Sequence, residues 1–178
     1  MKLKLHRLIR HKFAVLALLA SSSVIHATDV TTDITADTTW SLANSPYVLK
    51  DYIFVANSAT LTIEAGVVVQ ADEGSGTAAP ALVVTQGAKI SAIGTAAKPI
   101  TFTSKLDNPV GTLTKNDKGK WGGLIILGNA PINSNGSNTN TDPMTNAIEG
   151  IPTTSGISNR AIPASYAQYG GNAAADNT

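Results

Sequence analysis

Between residues 53 and 103 the same short pattern occurs twice, and this repeat limits the possible folds more than any other feature of the chain. The first copy contains the short β-type runs 53–55, 61–63 and 67–69, with Gly66 at a corner. The second copy contains runs at 82–84, 90–92 and 100–103, with Gly94 at a corner, and a third copy begins at 124. Such short strands at a short period predict a solenoid in which each coil covers the one before it.

Superposition of the copies predicts which residues stack on one another. A shift of 29 residues pairs Ile53 with Leu82, Val55 with Val84, Ala59 with Ala88, Leu61 with Ile90 and Ile63 with Ala92. A shift of 42 continues the columns with Leu82 over Leu124, Val84 over Ile126, Ala88 over Ala130 and Ile90 over Ile132. The shifts differ because one corner loop is short at 72–80 and long at 105–120, and solenoids tolerate insertions at one corner.

Two all-β folds fit short apolar runs, and the sequence favours one of them. A β-sandwich uses strands of about five or six residues joined by hairpin turns such as Asn-Gly. Here Asn135-Gly136 lies in a polar tract and not between apolar runs. No sustained helical periodicity follows residue 28, so almost no helix is expected. We therefore predict an all-β, parallel β-helix of about three coils, with a β-sandwich as the alternative.

Residues 1–27 have the features of a secretory signal peptide. Five basic residues precede an apolar run at 13–20, and small residues then lead to Ala27, the expected last residue before cleavage. Eight apolar residues are too few to span a bilayer as a helix. The expected location is therefore outside the cytoplasm, at the outer surface, in the medium or in the periplasm.

Removal of this leader excludes several kinds of chemistry. All three histidines, His6, His11 and His26, lie within it, and the chain has no cysteine. A triad with histidine, a zinc site with His or Cys ligands, and disulfides are thus excluded for the mature segment. Eight basic and twelve acidic residues remain, a net charge of −4, so no basic face for nucleic acid is expected.

Several segments together carry a family resemblance that covers nearly the whole mature chain. They are Trp40, 47–50, 53–55, 60–66, 94–104, 121–133, Glu149-Gly150 and 169–171. On these segments the chain resembles the N-terminal part of secreted bacterial surface proteins with a right-handed parallel β-helix of the pectin-lyase-like kind. The resemblance implies the fold and an exported location, but it implies no particular reaction.

The chain departs from the resembling proteins in two ways. Those proteins carry an acidic run after the Tyr-Gly-Gly element, whereas residues 172–178 contain only Asp176. They also continue with further coils, so the resemblance predicts that this sequence is a fragment or a truncated frame. The expected organisation is a signal peptide at 1–27, an N-terminal cap at 28–52, coils at 53–133 and a long polar loop at 134–178. That loop is expected to lead to a missing coil, and to be disordered if the remainder is absent.

Carboxylates are the first candidates for a site, because enzymes of this fold place acids and bases on a solvent-facing strand surface. Glu64 flanks a strand, but the aligned position in the next copy is Ile93. The other acids considered are Asp72, Glu73, Asp107 and Asp117, which lie in loops and are interpreted as solvated charges. The coils are not expected to contain a stacked column of Asp, Lys and Arg.

Calcium binding, sugar stacking and a serine nucleophile have little support in the sequence. The polar tract 133–146, with Asp142, offers oxygen ligands but matches no calcium loop. Aromatic residues are few and are expected to pack internally; they are Trp40, Tyr47, Tyr52, Trp121, Tyr166 and Tyr169. Ser155 has no base partner that the sequence can identify. No catalytic residue, metal site or cofactor is therefore assigned, and the ligand-binding residues are unknown.

The sequence leaves more than one function open. The favoured hypothesis is an exported, non-catalytic β-helical surface protein that contacts glycans or extracellular matrix in adhesion. The alternative is the N-terminal part of a carbohydrate-active enzyme, pectate-lyase-like, with its catalytic residues on later coils. A third hypothesis is an inert remnant. No nucleic-acid partner and no transmembrane span are expected.

Overall fold

The computed structural model describes residues 27–107, 111–132 and 145–171, and nearly all of its strands pair in parallel. The strands are β1 Thr28–Val30, β2 Thr38–Trp40, β3 Tyr47–Leu49, β4 Tyr52–Val55, β5 Thr60–Ile63, β6 Val68–Ala71, β7 Ala81–Val84, β8 Lys89–Ala92, β9 Thr101–Ser104, β10 Gly123–Ile126, β11 Thr145–Ala147 and β12 Gln168–Gly170. Short 3₁₀ helices occupy Leu42–Asn44, Gly76–Ala78 and Ala164–Ala167. Residues 1–26 of the predicted leader 1–27, and the tail from residue 172, lie outside the described residues.

Three parallel sheets form the walls of the solenoid. Sheet A has the order β1-β3-β6-β9, sheet B the order β4-β7-β10, and sheet C the order β2-β5-β8. Two complete coils, β3–β4–β5 and β6–β7–β8, follow a partial coil in which an isolated bridge from Ile34 to Val55 stands in for the strand of sheet B. The predicted parallel β-helix is confirmed. Residues 28–40, which belong to the predicted cap at 28–52, already pair in register with the first complete coil.

The predicted register is confirmed wherever the strands continue. Ile53 pairs with Leu82, and Leu61 pairs with Ile90. Leu82 also pairs with Leu124, as the shift of 42 requires. Val and Ile suit these positions because branched side chains pack well on a pleated surface.

The second half of the 42-residue superposition is wrong for the described residues. β10 ends at Ile126, and Ala130 is exposed, whereas Ala88 is buried in the core. The Gly128 carbonyl instead accepts hydrogen bonds from the Gly170 amide and from Gln86 Nε2. The chain leaves the coil at this point, so Ala130 and Ile132 do not continue the columns.

The segment 145–171, which we call the strap, covers the outer face of sheet B. It contains the antiparallel pair β11–β12 and the third 3₁₀ helix. Tyr52, Phe54 and Val83 point outward from sheet B, yet each is 3% exposed or less. They pack with the strap residues Ile148, Ile151, Ile162, Tyr166 and Tyr169. The part of the predicted polar loop at 145–171 therefore has strands and a 3₁₀ helix, and its few apolar residues cover a specific surface.

Within the described ranges, no helix has the length and apolar character that a membrane crossing requires.

Candidate functional site

A column of alternating charges runs along the edge of sheet A, and it is the first candidate site. Lys50, Asp72 and Lys105 each follow the last residue of a strand, and backbone hydrogen bonds place them at successive levels. Lys50 Nζ lies 2.9 Å from Asp72 Oδ2 and 3.3 Å from Asp29 Oδ1. Lys105 Nζ lies 3.1 Å from Asp72 Oδ1. These residues follow the strands instead of lying on a strand face, where the sequence predicts no column of Asp, Lys and Arg.

The electrostatics of the column point to mutual pairing. The hydrogen bond to Asp72 raises the pKa of Lys50, although burial acts in the opposite direction. Burial by itself raises the pKa of Asp72, but hydrogen bonds from Lys50 and Lys105 outweigh it, so the pKa lies below the ordinary value. Both Asp72 oxygens are occupied by ammonium groups, and this arrangement fastens neighbouring coils rather than providing a free base.

The stability contributed by the column is expected to be small and sensitive to salt. Lys50→Met keeps most of the aliphatic stem but removes the charge that joins Asp29 to Asp72. Because these groups are partly solvated, we expect a loss of at most about 1 kcal/mol in the free energy of unfolding, measured by urea denaturation. About 1 M salt should remove most of the difference. Lys89→Met, at an exposed position of β8, is the matched control; an equal loss there would contradict the pairing.

A second polar cluster, which we call the latch, joins the strap to the coils. Its centre is Asp51, whose side chain is 5% exposed. Asp51 Oδ1 accepts hydrogen bonds from Ser155 Oγ at 2.6 Å and from the Tyr52 amide at 2.7 Å. Asp51 Oδ2 accepts one from Ser158 Oγ and a longer one, 3.4 Å, from Arg160 Nε. A charge at this depth needs such partners to be tolerated.

Arg160 extends the latch to the first partial coil. Its two terminal nitrogens each lie 3.1 Å from an oxygen of Asp33, and Nη2 also donates to the Tyr52 carbonyl. The guanidinium carbon lies 5.5 Å from the centre of the Phe54 ring. Asp33 in turn accepts a hydrogen bond from the Phe54 amide. One arginine thus connects the strap, β4 and the segment before it.

The latch does not make Ser155 a nucleophile. The structure provides the carboxylate partner that the sequence could not identify, but Ser155 is 1% exposed. Its Oγ also accepts hydrogen bonds from the amides of Ile157 and Ser158. Gly156 lies so close to the coil that a Cβ there would be 2.8 Å from the Thr77 carbonyl oxygen. No substrate could reach this hydroxyl unless the strap moved away from the coils.

The other predicted acids are separate from one another and mostly have structural partners. Glu64 Oε2 accepts a hydrogen bond from the Leu42 amide, where the first 3₁₀ helix begins. Asp107 binds Thr103 Oγ1 and the Leu113 amide, and the latter bond is the main cause of its lowered pKa. Asp117 accepts from the amide and hydroxyl of Thr114. Glu73 borders a shallow groove with Lys120.

The aromatic residues pack against protein groups, in line with the sequence interpretation. Trp40 and Tyr47 are stacked with ring centres 4.7 Å apart, and both are buried. The Tyr166 ring lies 5.0 Å from that of Phe54. Trp121 is partly buried against the main core. Among the described residues, no three of His, Cys, Asp and Glu are grouped closely enough to hold a metal ion, and most of the polar tract 133–146 lies outside those residues.

Sheet C presents an outer face with hydroxyl groups in register. Thr39, Thr62 and Ser91 pair across β2, β5 and β8. They alternate with inward residues such as Leu61 and Ile63, so their side chains point away from the core. Thr39 is exposed, and Thr62 and Ser91 are half-buried. The three side chains are uncharged and can donate and accept hydrogen bonds.

Short parallel strands in three stacked sheets, with a column of paired charges along one edge, define the chain as a β-helical solenoid domain. The family model of the pectate-lyase-like β-helix domain matches residues 32–178, and the chain belongs to this family. No curated protein and no solved structure matches the chain.

Proposed function

We propose that this chain is a non-catalytic β-helical scaffold of an exported protein, and that it contacts glycans or extracellular matrix. The observation that carries the proposal is that most described carboxylates are bound by other groups of the protein. Eight of the described acids accept hydrogen bonds from other protein groups or form ion pairs with them: Asp29, Asp33, Asp37, Asp51, Glu64, Asp72, Asp107 and Asp117. Glycoside hydrolysis requires two carboxylates at a set separation around the bond that is cleaved.

The chemistry of the surface favours neutral glycans over polyuronates. The acidic balance after the leader disfavours long-range attraction of a polyanion. The hydroxyl row of sheet C offers hydrogen bonds without charge. The signal-peptide pattern of residues 1–27 supports export.

A glycan array that contains neutral and acidic polysaccharides tests the proposal. We expect binding to neutral glycans that decreases at least about threefold in a Thr39→Val, Thr62→Val double variant, because hydroxyl partners are lost. Thr153→Val, on the strap, is the control and should bind as the parent does. No binding, or equal loss in both variants, would contradict a glycan contact on sheet C.

A pectate-lyase-like enzyme is the second candidate, and the family match is the observation that favours it. Incubation with polygalacturonate and with neutral polysaccharides, with and without added calcium, measures bond cleavage directly. The scaffold proposal expects no unsaturated products and no new reducing ends. Cleavage that is lost in Asp72→Asn but kept in Asp29→Asn would overturn the scaffold proposal and assign the charge column to catalysis.

A further inference from the structure

Sheet C differs from the other two sheets in leaving its central outward side chains in contact with solvent. On sheet B the outward residues Tyr52 and Phe54 are buried beneath the strap. On sheet A the outward residues Val48 and Gln70 are also buried. On sheet C, by contrast, Thr39 is exposed and its partners in register are half-buried. Of the faces that the described residues form, sheet C is therefore the most open to a ligand.

A hydroxyl group recurs at each described level of sheet C, in a single row. Thr39, Thr62 and Ser91 contribute one hydroxyl each and are partners in the ladder, so the hydroxyls follow one another at the strand spacing of about 4.8 Å. The neighbouring outward column does not repeat in this way, because Thr60 pairs with Lys89. A ligand that binds all three hydroxyls of the row therefore lies along the solenoid axis and crosses the strands.

The spacing of the row selects among glycans by their linkage. In an extended β-1,4-linked hexose chain, the distance from one sugar to the next is close to the strand spacing, so successive sugars stay level with successive coils. An α-1,4-linked chain of the same sugars winds into a helix and turns its hydroxyls away from a straight row. Alternate sugars of the β-1,4-linked chain face in opposite directions, and a threonine or serine hydroxyl, which both donates and accepts, suits either orientation.

We propose, building on the glycan contact proposed above, that sheet C binds one extended, neutral, β-1,4-linked glycan chain along the solenoid axis, with one sugar at each coil. Ile93 directly follows β8 and is 78% exposed, so it offers an apolar contact for the C–H face of a sugar beside Ser91. Lys89 begins β8 and Glu64 follows β5, and both are exposed. Their opposite charges flank the row, so no net preference for an anionic sugar is expected.

Two hexasaccharides of glucose that differ only in linkage test the proposal: cellohexaose, which is β-1,4-linked, and maltohexaose, which is α-1,4-linked. Isothermal titration calorimetry with the purified chain should show that cellohexaose binds at least about tenfold more tightly. Equal binding of the two would overturn the proposal but not the glycan contact of sheet C. Binding of neither would overturn the proposal, and the glycan array then decides whether the glycan contact fails with it.

Single substitutions at different levels test the direction of the bound chain. Thr39→Val and Ser91→Ala remove hydroxyls on either side of β5, and each should weaken cellohexaose binding at least about threefold. Thr60→Val is the matched control, because Thr60 is outward and half-buried on β5 but lies outside the row. A glycan that ran along β5 would depend on Thr60 and be insensitive to the other two variants, and this result would overturn the proposal. Circular dichroism should show all three variants folded.

Discussion

Leu82→Ala is expected to lower the free energy of unfolding by about 3 kcal/mol, because it empties the centre of an aliphatic column. Leu82 is fully buried and lies in register between Ile53 and Leu124. Backbone ladders hold this coil to the one below in all three sheets and to the level above in sheets A and B, so the cavity cannot collapse easily. Urea denaturation monitored by circular dichroism measures the change.

Leu124→Ala is the matched control for this prediction. It removes the same atoms one level higher in the same column, where the side chain already contacts solvent. We expect a loss of less than about 1.5 kcal/mol, since less apolar area returns to water. Equal losses for the two variants would show that the Leu124 side chain is covered as fully as that of Leu82.

Asp51→Ala is expected to destabilise the chain by about 3 kcal/mol and to release the strap. Removing one partner of a buried ion pair leaves the other groups without compensation. Here Ser155 Oγ, Ser158 Oγ and the Tyr52 amide lose their acceptor. Hydrogen exchange should accelerate at the strap amides of Ile148 and Ile162, which are bonded in the parent chain.

The control for the latch is Asp29→Ala, which removes an exposed carboxylate from the charge column. This change should cost less than about 1 kcal/mol and leave exchange in the strap unchanged. If Asp51→Ala accelerated exchange equally in the strap and in β4–β7, the strap would not be a separately opening unit. Uniform acceleration of this kind reflects global unfolding rather than release of the latch.

Acidification should weaken the latch, as Asp51→Ala is expected to do. Burial alone raises the pKa of Asp51, but hydrogen bonds from Ser155, Ser158 and the Tyr52 amide, together with Arg160, bring it below the ordinary value. A carboxyl whose pKa is lowered in the folded state contributes stability that is fully present above its pKa in the unfolded chain, about 3.9. This contribution is lost as pH falls through the folded pKa. Protection of the strap amides should therefore be constant near neutral pH and decrease below about pH 4, and Asp51→Asn should abolish that decrease.

The sequence could predict the coils because their core residues repeat in type. Ile53 and Leu82, or Leu61 and Ile90, are similar residues at a constant shift, and a shared inward face is the physical reason. The charge column was missed because Lys50, Asp72 and Lys105 follow strands at unequal spacings of 22 and 33 residues. Their charges alternate in sign, so a search for repeated residue types does not detect them.

The latch could not be predicted from any local pattern. Asp51 lies between a lysine and a tyrosine, and Arg160 lies in a segment of small polar residues. Only the folded strap brings them together. The apolar residues of the strap are too widely spaced to show a period. Their burial depends on the outer face of sheet B, which forms only when the coils have assembled.

Folding order is a consequence of this long-range latch. The parallel ladders join residues 19 to 42 positions apart, as in Thr28 with Tyr47 and Leu82 with Leu124. The latch joins residues 104 to 127 positions apart. Closing longer loops costs more chain entropy, and contacts of high sequence separation form slowly. We expect the coils to assemble one after another and the Asp51–Arg160 cluster to close last, so its closure distinguishes the finished fold from a partly stacked intermediate.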